Sequence, residues 1–276
     1  MRAAVVGHVE LVEFVRVERM PRAGDIVHAL EWWSEAAGGG PGAAVQLAKL
    51  AGGAALFTAL GDDDVGDSAR DALARHGLVV HAATRPEPTR RAITHVDAGG
   101  ERTITVLGER HAPRGDDDLP WDELDGVDAL YFTAGDEAAL RHARRARVVV
   151  ATARVLPLLA RTGVQLDALV GSATDPAEAH APGDVEPPPR LSVWTAGERG
   201  GRYALADGAE GTYDAVAPPG PVVDRYGAGD SFAGALAYGL AATGDARAAL
   251  ELAARCGAAA VTGRGPYEGQ LRRHGA

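Results

Sequence analysis

The residues best arranged for chemistry lie late in the chain, in the run Val223-Asp224-Arg225-Tyr226-Gly227-Ala228-Gly229-Asp230-Ser231-Phe232-Ala233-Gly234. A strand end, a turn with two glycines and an Ala-rich helical stretch follow one another there. The first amides of such a helix have no partner inside it and carry the positive end of its dipole. They form a site for an anion, and the small residues let that anion approach the backbone. Asp230 stands within the first turn, where it could cap the helix or face the anion. Its place at a helix N-terminus predicts a carboxylate that stays ionised at neutral pH. The second carboxylate at Asp224 favours the functional alternative over a plain cap. A second glycine-rich entry into a helix, Gly38-Gly39-Gly40-Pro41-Gly42, could bring backbone amides to a polar substrate or could serve as a flexible turn.

Other residue types narrow the chemistry. Lys49 is the one lysine, every other cation being arginine, so no Walker A lysine exists. Phosphate esters would have to be held by backbone amides, helix N-termini, arginine and metal. No run fits G-x-G-x-x-G, which removes support for a dinucleotide dehydrogenase. Gly229-Asp230-Ser231 imitates an esterase nucleophile block, but it stands near the C-terminus with no Asp-x-x-His after it. Ala233 also breaks the G-x-S-x-G elbow. The histidines form no H-E-x-x-H, which argues against a catalytic zinc. The triplets Asp62-Asp63-Asp64 and Asp116-Asp117-Asp118 are better read as solvated caps than as metal ligands. Cys256, the single cysteine, lies in an Ala-rich helical stretch and is expected to be an inert packed thiol.

These residues need a scaffold. Short β-like runs (Ala3–Val6, Ala54–Thr58, Leu130–Thr133, Val148–Ala151, Ala168–Val170, Leu191–Thr195) alternate with helical stretches (Ala43–Ala51, Val65–His76, Glu137–Arg145, Ala228–Ala241, Ala246–Val261). That alternation predicts an α/β fold, a doubly wound mostly parallel sheet. Strand-like runs at about 11–31 and 92–107 fall outside it and predict a small β lid. In the first, Trp32 and Trp33 are adjacent, so on a strand only one could face a ligand. The Pro-rich stretch Ala179–Arg190 is expected to be a loop and the segment most open to disorder. No repeat or linker divides the chain, so residues 1–276 read as one domain. The formal net charge of -10 lacks the cationic footprint that nucleic-acid or anionic-membrane binding draws on. The apolar run after Met1-Arg2 meets His8 and Glu10 too early for a signal peptide, and no 18-residue apolar run occurs. Nucleic-acid and membrane partners are therefore not expected, and a cytoplasmic protein is.

Together, Gly38-Gly39-Gly40, Gly61-Asp62-Asp63-Asp64-Val65-Gly66, Gly100-Glu101-Arg102-Thr103, Thr195-Ala196-Gly197-Glu198-Arg199-Gly200 and Asp224–Asp230 resemble the ribokinase-like (PfkB) carbohydrate kinase family over nearly the whole chain. The resemblance implies an α/β core with a β lid, ATP with Mg2+ as phosphoryl donor, and a hydroxyl of a sugar or nucleoside as acceptor. It implies Asp230 as the base and the amides of Gly227, Ala228 and Gly229 as the anion hole. Gly38, Gly39 and Gly40 would meet the acceptor, while Thr195, Gly197, Gly200 and Asp224 would meet the nucleotide. Asp175 would serve the metal, K+ would sit near Asp224 and 263–265, and the lid would form a homodimer. Phosphoryl transfer suits such a site, because it depends on positioning and charge stabilisation more than on covalent help.

The departures concern the acceptor and the metal. The family's sugar-binding Asp is replaced by Val12, the Asn after the glycine block by a small residue around Gly42–Ala44, the Thr of D-T-x-G-A-G-D by Arg225, and N-x-x-E by Ser172-Ala173-Thr174-Asp175. Glu10 shares a strand face with Val12 and is the candidate substitute carboxylate, with Asp25, Glu31 and Asp136 behind it. The altered pocket leaves a second reading, a catalytically weak sugar- or nucleotide-binding regulatory protein of the same fold.

Overall fold

A computed structural model describes residues 1–273. In chain order its elements begin with β1 (Ala3–Val6), β2 (Glu10–Arg16), β3 (Glu31–Ala37), α1 (Gly39–Ala51), β4 (Ala54–Gly61), α2 (Asp64–Arg75), β5 (Leu78–Arg85), β6 (Arg91–Val96) and β7 (Arg102–Leu107). They continue with β8 (Ala129–Phe132), α3 (Glu137–Ala143), β9 (Val148–Thr152), α4 (Leu156–Thr162), β10 (Ala168–Ser172), β11 (Leu191–Thr195), β12 (Gly201–Leu205), β13 (Glu210–Tyr213), α5 (Ala228–Thr243) and α6 (Ala246–Ala260).

Nine strands form the main sheet in the order β13-β12-β11-β10-β9-β8-β1-β4-β5. Every pairing from β11 to β5 is parallel, and β12 and β13 add an antiparallel edge. This is the doubly wound, mostly parallel α/β architecture that the alternation of runs predicts. The sheet is covered on both sides, as parallel sheets must be. Ala3 and Val5 of β1 join one apolar cluster with α1, α5 and α6, while Ala4 and Val6 join another with α3 and α4. All six expected core strands are present. The edge elements β5, β12 and β13 are half-exposed and carry no clear alternation, and α4 is too short for a helical period, so the sequence did not announce them.

The lid is a four-stranded sheet in the order β3-β2-β6-β7. Its first half departs from the expected span of 11–31. The chain leaves β2 at Arg16, and the returning strand β3 runs on to Ala37, because Trp33 and Ala37 continue the lid's inward face beyond the boundary. Trp33 stacks on Phe14 at 5.0 Å while Trp32 faces solvent, as strand alternation requires. The loop at 179–190 also differs from expectation, being packed rather than loose. His180 stacks on Trp194 at 4.6 Å, the indole N–H donates to the His180 carbonyl, and Val185 is buried under the sheet.

Close helix packing fixes the site. Gly234 of α5 meets α1 so tightly that a Cβ there would lie 2.9 Å from the Ala43 carbonyl oxygen. Only glycine permits that approach, and it brings the N-termini of α1 and α5 together. Cys256 on α6 is fully buried and its thiol is pushed up to about 12 by burial, consistent with a packing role.

Candidate active site

The predicted residues meet at the C-terminal edge of the parallel strands, where open α/β sheets bind ligands. Gly227 has φ 76, a left-handed turn that a side chain would strain, and it starts α5 with no side-chain cap. The amides of Ala228, Gly229 and Asp230 therefore remain free of a capping side chain, and a Cβ on Gly229 would find no protein atom within 4 Å. That combination is an open anion cradle. Asp230 is not a cap. Its side chain turns towards α1, where Cβ atoms placed on Gly39 and Gly42 would lie 3.3 Å from its two carboxylate oxygens. Thr133, just past β8, and His8, just past β1, close on Gly39 as well. Gly38 is the N-cap of α1 at φ 102, and Gly39 and Gly40 form its first turn, so the glycine block is a helix entry that lets α1 approach Asp230.

The charge state of Asp230 corrects the sequence-based expectation. Burial, followed by the field of Glu178, raises its carboxyl to about 7, against the pull of Arg102 and Arg154 and of two helix N-termini. A base poised near neutrality accepts a proton more readily than an ordinary carboxylate.

Around this centre the other predicted residues take distinct places. Glu10 opens β2 on the same buried face as Val12 and Phe14. Its Oε2 lies 2.9 Å from Arg90 Nε, and burial raises its carboxyl above the ordinary value. Val12 is packed in the lid's apolar cluster with Phe14 and Tyr226, which explains how an apolar residue is accommodated there. The fallback carboxylates are engaged elsewhere: Asp25 with Arg19, Glu31 with Arg16 and Arg264, and Asp136 as the N-cap of α3. Asp224 is fully buried, its two oxygens accepting from the amides of Tyr226 and Gly265, so it staples the anion loop to the segment at 263–265. Thr195 ends β11 and its carbonyl accepts from the Ala173 amide. Gly197 and Gly200 have φ 59 and 75, and a Cβ on Gly200 would strike the Tyr213 carbonyl. Arg225 joins the turn at 197–200 to the lid through Glu198 at 2.9 Å and Glu101 at 3.0 Å.

Asp175 ion-pairs with Arg154 at 2.8 Å and accepts from the Ala177 amide. Among the described residues no three His, Cys, Asp or Glu side chains cluster as metal ligands. This donor set suits a Mg2+ that arrives on phosphate oxygens with most of its waters, approached by Asp175 and Glu178, better than an ion held by protein alone. The acidic triplets are structural. Asp63 caps α2 through the Gly66 amide and accepts from both the amide and hydroxyl of Thr89, and Asp117 chelates Arg85.

Five residues escaped sequence reasoning: His8, Arg90, Thr133, Arg154 and Glu178. Glu178 has a local signal, standing three residues beyond Asp175. The two arginines are hidden in a chain whose cations are nearly all arginine, and only the fold pairs them with Glu10 and Asp175.

The sheet order, the lid and two converging helix N-termini define a ribokinase-like protein. The family of pfkB family carbohydrate kinases matches residues 2–174 and 158–272, and the chain belongs to it. Among solved structures, a putative ribokinase from Agrobacterium tumefaciens is 23% identical with a TM-score of 0.79, covering 98% of this chain and 94% of that one. Arabidopsis thaliana ribokinase complexed with ribose and ATP is 19% identical with a TM-score of 0.74, covering 98% and 95%. Adenosine kinase from Sinorhizobium meliloti is 18% identical with a TM-score of 0.76, covering 96% and 95%. A comparison with curated proteins finds no match. No helix among the described residues is long and apolar enough to cross a membrane.

Proposed function

We propose that the protein transfers the γ-phosphoryl group of ATP to a hydroxyl of a sugar or nucleoside. The observation that carries this reading is Asp230, set beside Gly39 and Gly42 at the entrance of α1 and within the first turn of α5, at its open amide cradle. The acceptor hydroxyl gives its proton to Asp230 as its oxygen bonds to phosphorus. The bond between the γ-phosphorus and the bridging oxygen breaks, and ADP leaves with the electron pair. The amides at 227–229 stabilise the charge on the transferring group, an oxyanion-type contribution that needs no lysine. Asp175 and Glu178 would hold a nucleotide-borne Mg2+ through its waters, and that ion would supply neutralisation of phosphate charge.

Several features support the remaining assignments. The turn at Thr195–Gly200 and Asp224 shape the nucleotide side, and family membership together with the ATP-bound Arabidopsis relative favours ATP as donor. The outer lid strand β7 leaves Ile104, Val106 and Leu107 exposed, which supports a lid-mediated pair of chains. A screen of sugars, sugar phosphates and nucleosides for ADP formation tests the activity. A folded protein that binds ATP but turns over no acceptor would favour the regulatory alternative.

A further inference from the structure

The first turn of α1 lies against Asp230 with little of its own to hold it there. Gly39, Gly40, Pro41 and Gly42 make up that turn, so it carries no side chain that can hydrogen-bond, and its N-cap Gly38 supplies no side-chain cap. Glycine is the poorest helix former after proline, which leaves this end of α1 prone to fray. Yet the turn approaches the base closely: a Cβ on Gly42 would lie 3.0 Å from the Asp230 Cβ and 3.3 Å from its Oδ2. A soft helix end keeps such a distance only under restraint from outside the helix.

Gln270 supplies the restraint. Its Nε2 donates to the Gly42 carbonyl at 2.7 Å and to the Ser231 hydroxyl at 3.0 Å, and Ser231 follows Asp230 directly on α5. Among the described residues this is the one side-chain hydrogen bond made to the backbone of 39–42. Gln270 and Ser231 are both buried. The Gly42 carbonyl can only accept, which fixes the amide with its NH2 towards the two helices and leaves Oε1 buried without a partner. An orphaned buried oxygen is costly, so stability alone is a poor reason for a glutamine here. The adjoining chain has its own ties to α1 farther from Asp230. Gln46 Nε2 donates to the Leu271 carbonyl at 2.9 Å, and the Arg273 amide donates to the Lys49 carbonyl at 3.2 Å. They fix the segment at 270–273 along α1, and of these bonds only those of Gln270 reach across to α5.

We infer that Gln270 is a positioning residue for Asp230, pinning the glycine turn of α1 to α5 so that α1 stays closed over one side of the carboxylate. It acts through Gly42 and Ser231 and takes no part in the transfer itself. The inference rests on the kinase reading for the role of Asp230 as base, while the pin is tested without turnover. Loosening the turn admits water to the carboxylate, and burial is the largest influence raising that group to about 7. The charged groups whose fields reach it, Glu178, Arg102, Arg154 and Glu10, stand on other segments and make no bond to Gln270, Gly42 or Ser231. Tyr131, Tyr226 and Tyr267 also feel its charge and are held neutral by burial, as is the His8 imidazole. Titration of Asp230 therefore reports the pin.

The experiment is carbon-13 NMR of the full chain labelled at its aspartate carboxyls, titrated from about pH 4 to 9 without ligands. The Asp230 signal is the one missing from Asp230→Asn. In the wild type it should titrate at about 7. In Gln270→Leu the midpoint should fall by about half a pH unit or more, roughly a threefold loss of proton affinity. Gln46→Leu is the control, since it cuts a buried hydrogen bond of the same segment one turn farther along α1; it should lower Tm comparably and leave the midpoint in place. Ser231→Ala removes only the α5 end of the pin and puts a better helix former there, so it should shift the midpoint the same way by less, and it decides the question if Gln270→Leu does not fold. A midpoint unmoved in the folded variants, moved as far by Gln46→Leu, or already near the ordinary carboxylate value in the wild type would overturn the inference. A parallel ADP assay separates the two readings. A shifted titration in a protein that transfers no phosphoryl group sinks the kinase and leaves the pin standing, whereas transfer with an unmoved titration does the reverse.

Discussion

Replacing Asp230 by Asn should disable the protein and stabilise it at once. The carboxyl rises from 3.8 to about 7 in the fold, mainly through burial. At about 1.4 kcal/mol per pKa unit, that shift corresponds to at most about 4 kcal/mol of cost for holding the charge at high pH. Asp230 is only half-buried, opening onto the cleft, and two helix N-termini each return roughly 0.3–1 kcal/mol, so about 2 kcal/mol should remain. The sign follows from proton uptake. Between pH 4 and 7 the folded protein holds a proton that the unfolded chain has lost, so the wild type loses stability as pH rises through that window. Asn does not titrate. In the absence of ligands, thermal unfolding at pH 8 should therefore place the Asp230→Asn variant roughly 4–8 °C above wild type, an advantage that fades towards pH 4. Turnover should fall about 10²–10⁴-fold, the usual effect of losing a general base. The wild-type kcat/KM for the acceptor should rise with pH through about 7 as the base deprotonates. A variant stabilised equally at pH 4 and pH 8, or not at all, would refute the burial argument. Near-wild-type turnover in the folded variant would remove Asp230 from the mechanism.

Two further substitutions probe the surroundings. Gly229→Val places a branched side chain where no protein atom lies within 4 Å, so circular dichroism and Tm should hardly change while turnover drops about 10²-fold or more; retained activity would put the phosphate elsewhere. Glu10→Ala removes the partner of Arg90 and should cost about 2 kcal/mol, seen as roughly 30-fold in kcat/KM for the acceptor with KM for ATP unchanged; equal effects on both substrates would contradict its place on the acceptor side.

The core of the fold was legible because buried parallel strands announce themselves as short apolar runs between Ala-rich helices, as in β1 and β9. The uncapped, glycine-rich start of α5 was legible for a related reason. Backbone amides at a helix start are dictated by local glycine chemistry at Gly227 and Gly229, with no need of tertiary contacts. What could not be read was anything requiring distant segments to meet. Asp230 looked like an ionised cap because the sequence shows the helix dipole but hides the burial supplied by α1. Asp63 looked like a solvated cap, and it is a cap, but its second task of pinning Thr89 emerges only when the connection after β4 meets the one between β5 and β6. Val12 marked a departure from the family pattern, yet its packing against Tyr226 in the lid explains the change as an exchange of a polar contact for an apolar one. Arg90 and Arg154 come from separate connections, and topology alone sets them against Glu10 and against Asp175 with Glu178.

The most direct test of the central claim is phosphorus NMR of the full-length protein incubated with ATP, Mg2+ and the acceptor panel. The account predicts a phosphorylated acceptor appearing in step with ADP, dependent on the divalent ion, and abolished in the folded Asp230→Asn variant. Phosphorylated acceptor forming at an undiminished rate in that variant, or no transfer to any acceptor by a folded protein that binds ATP, would contradict it.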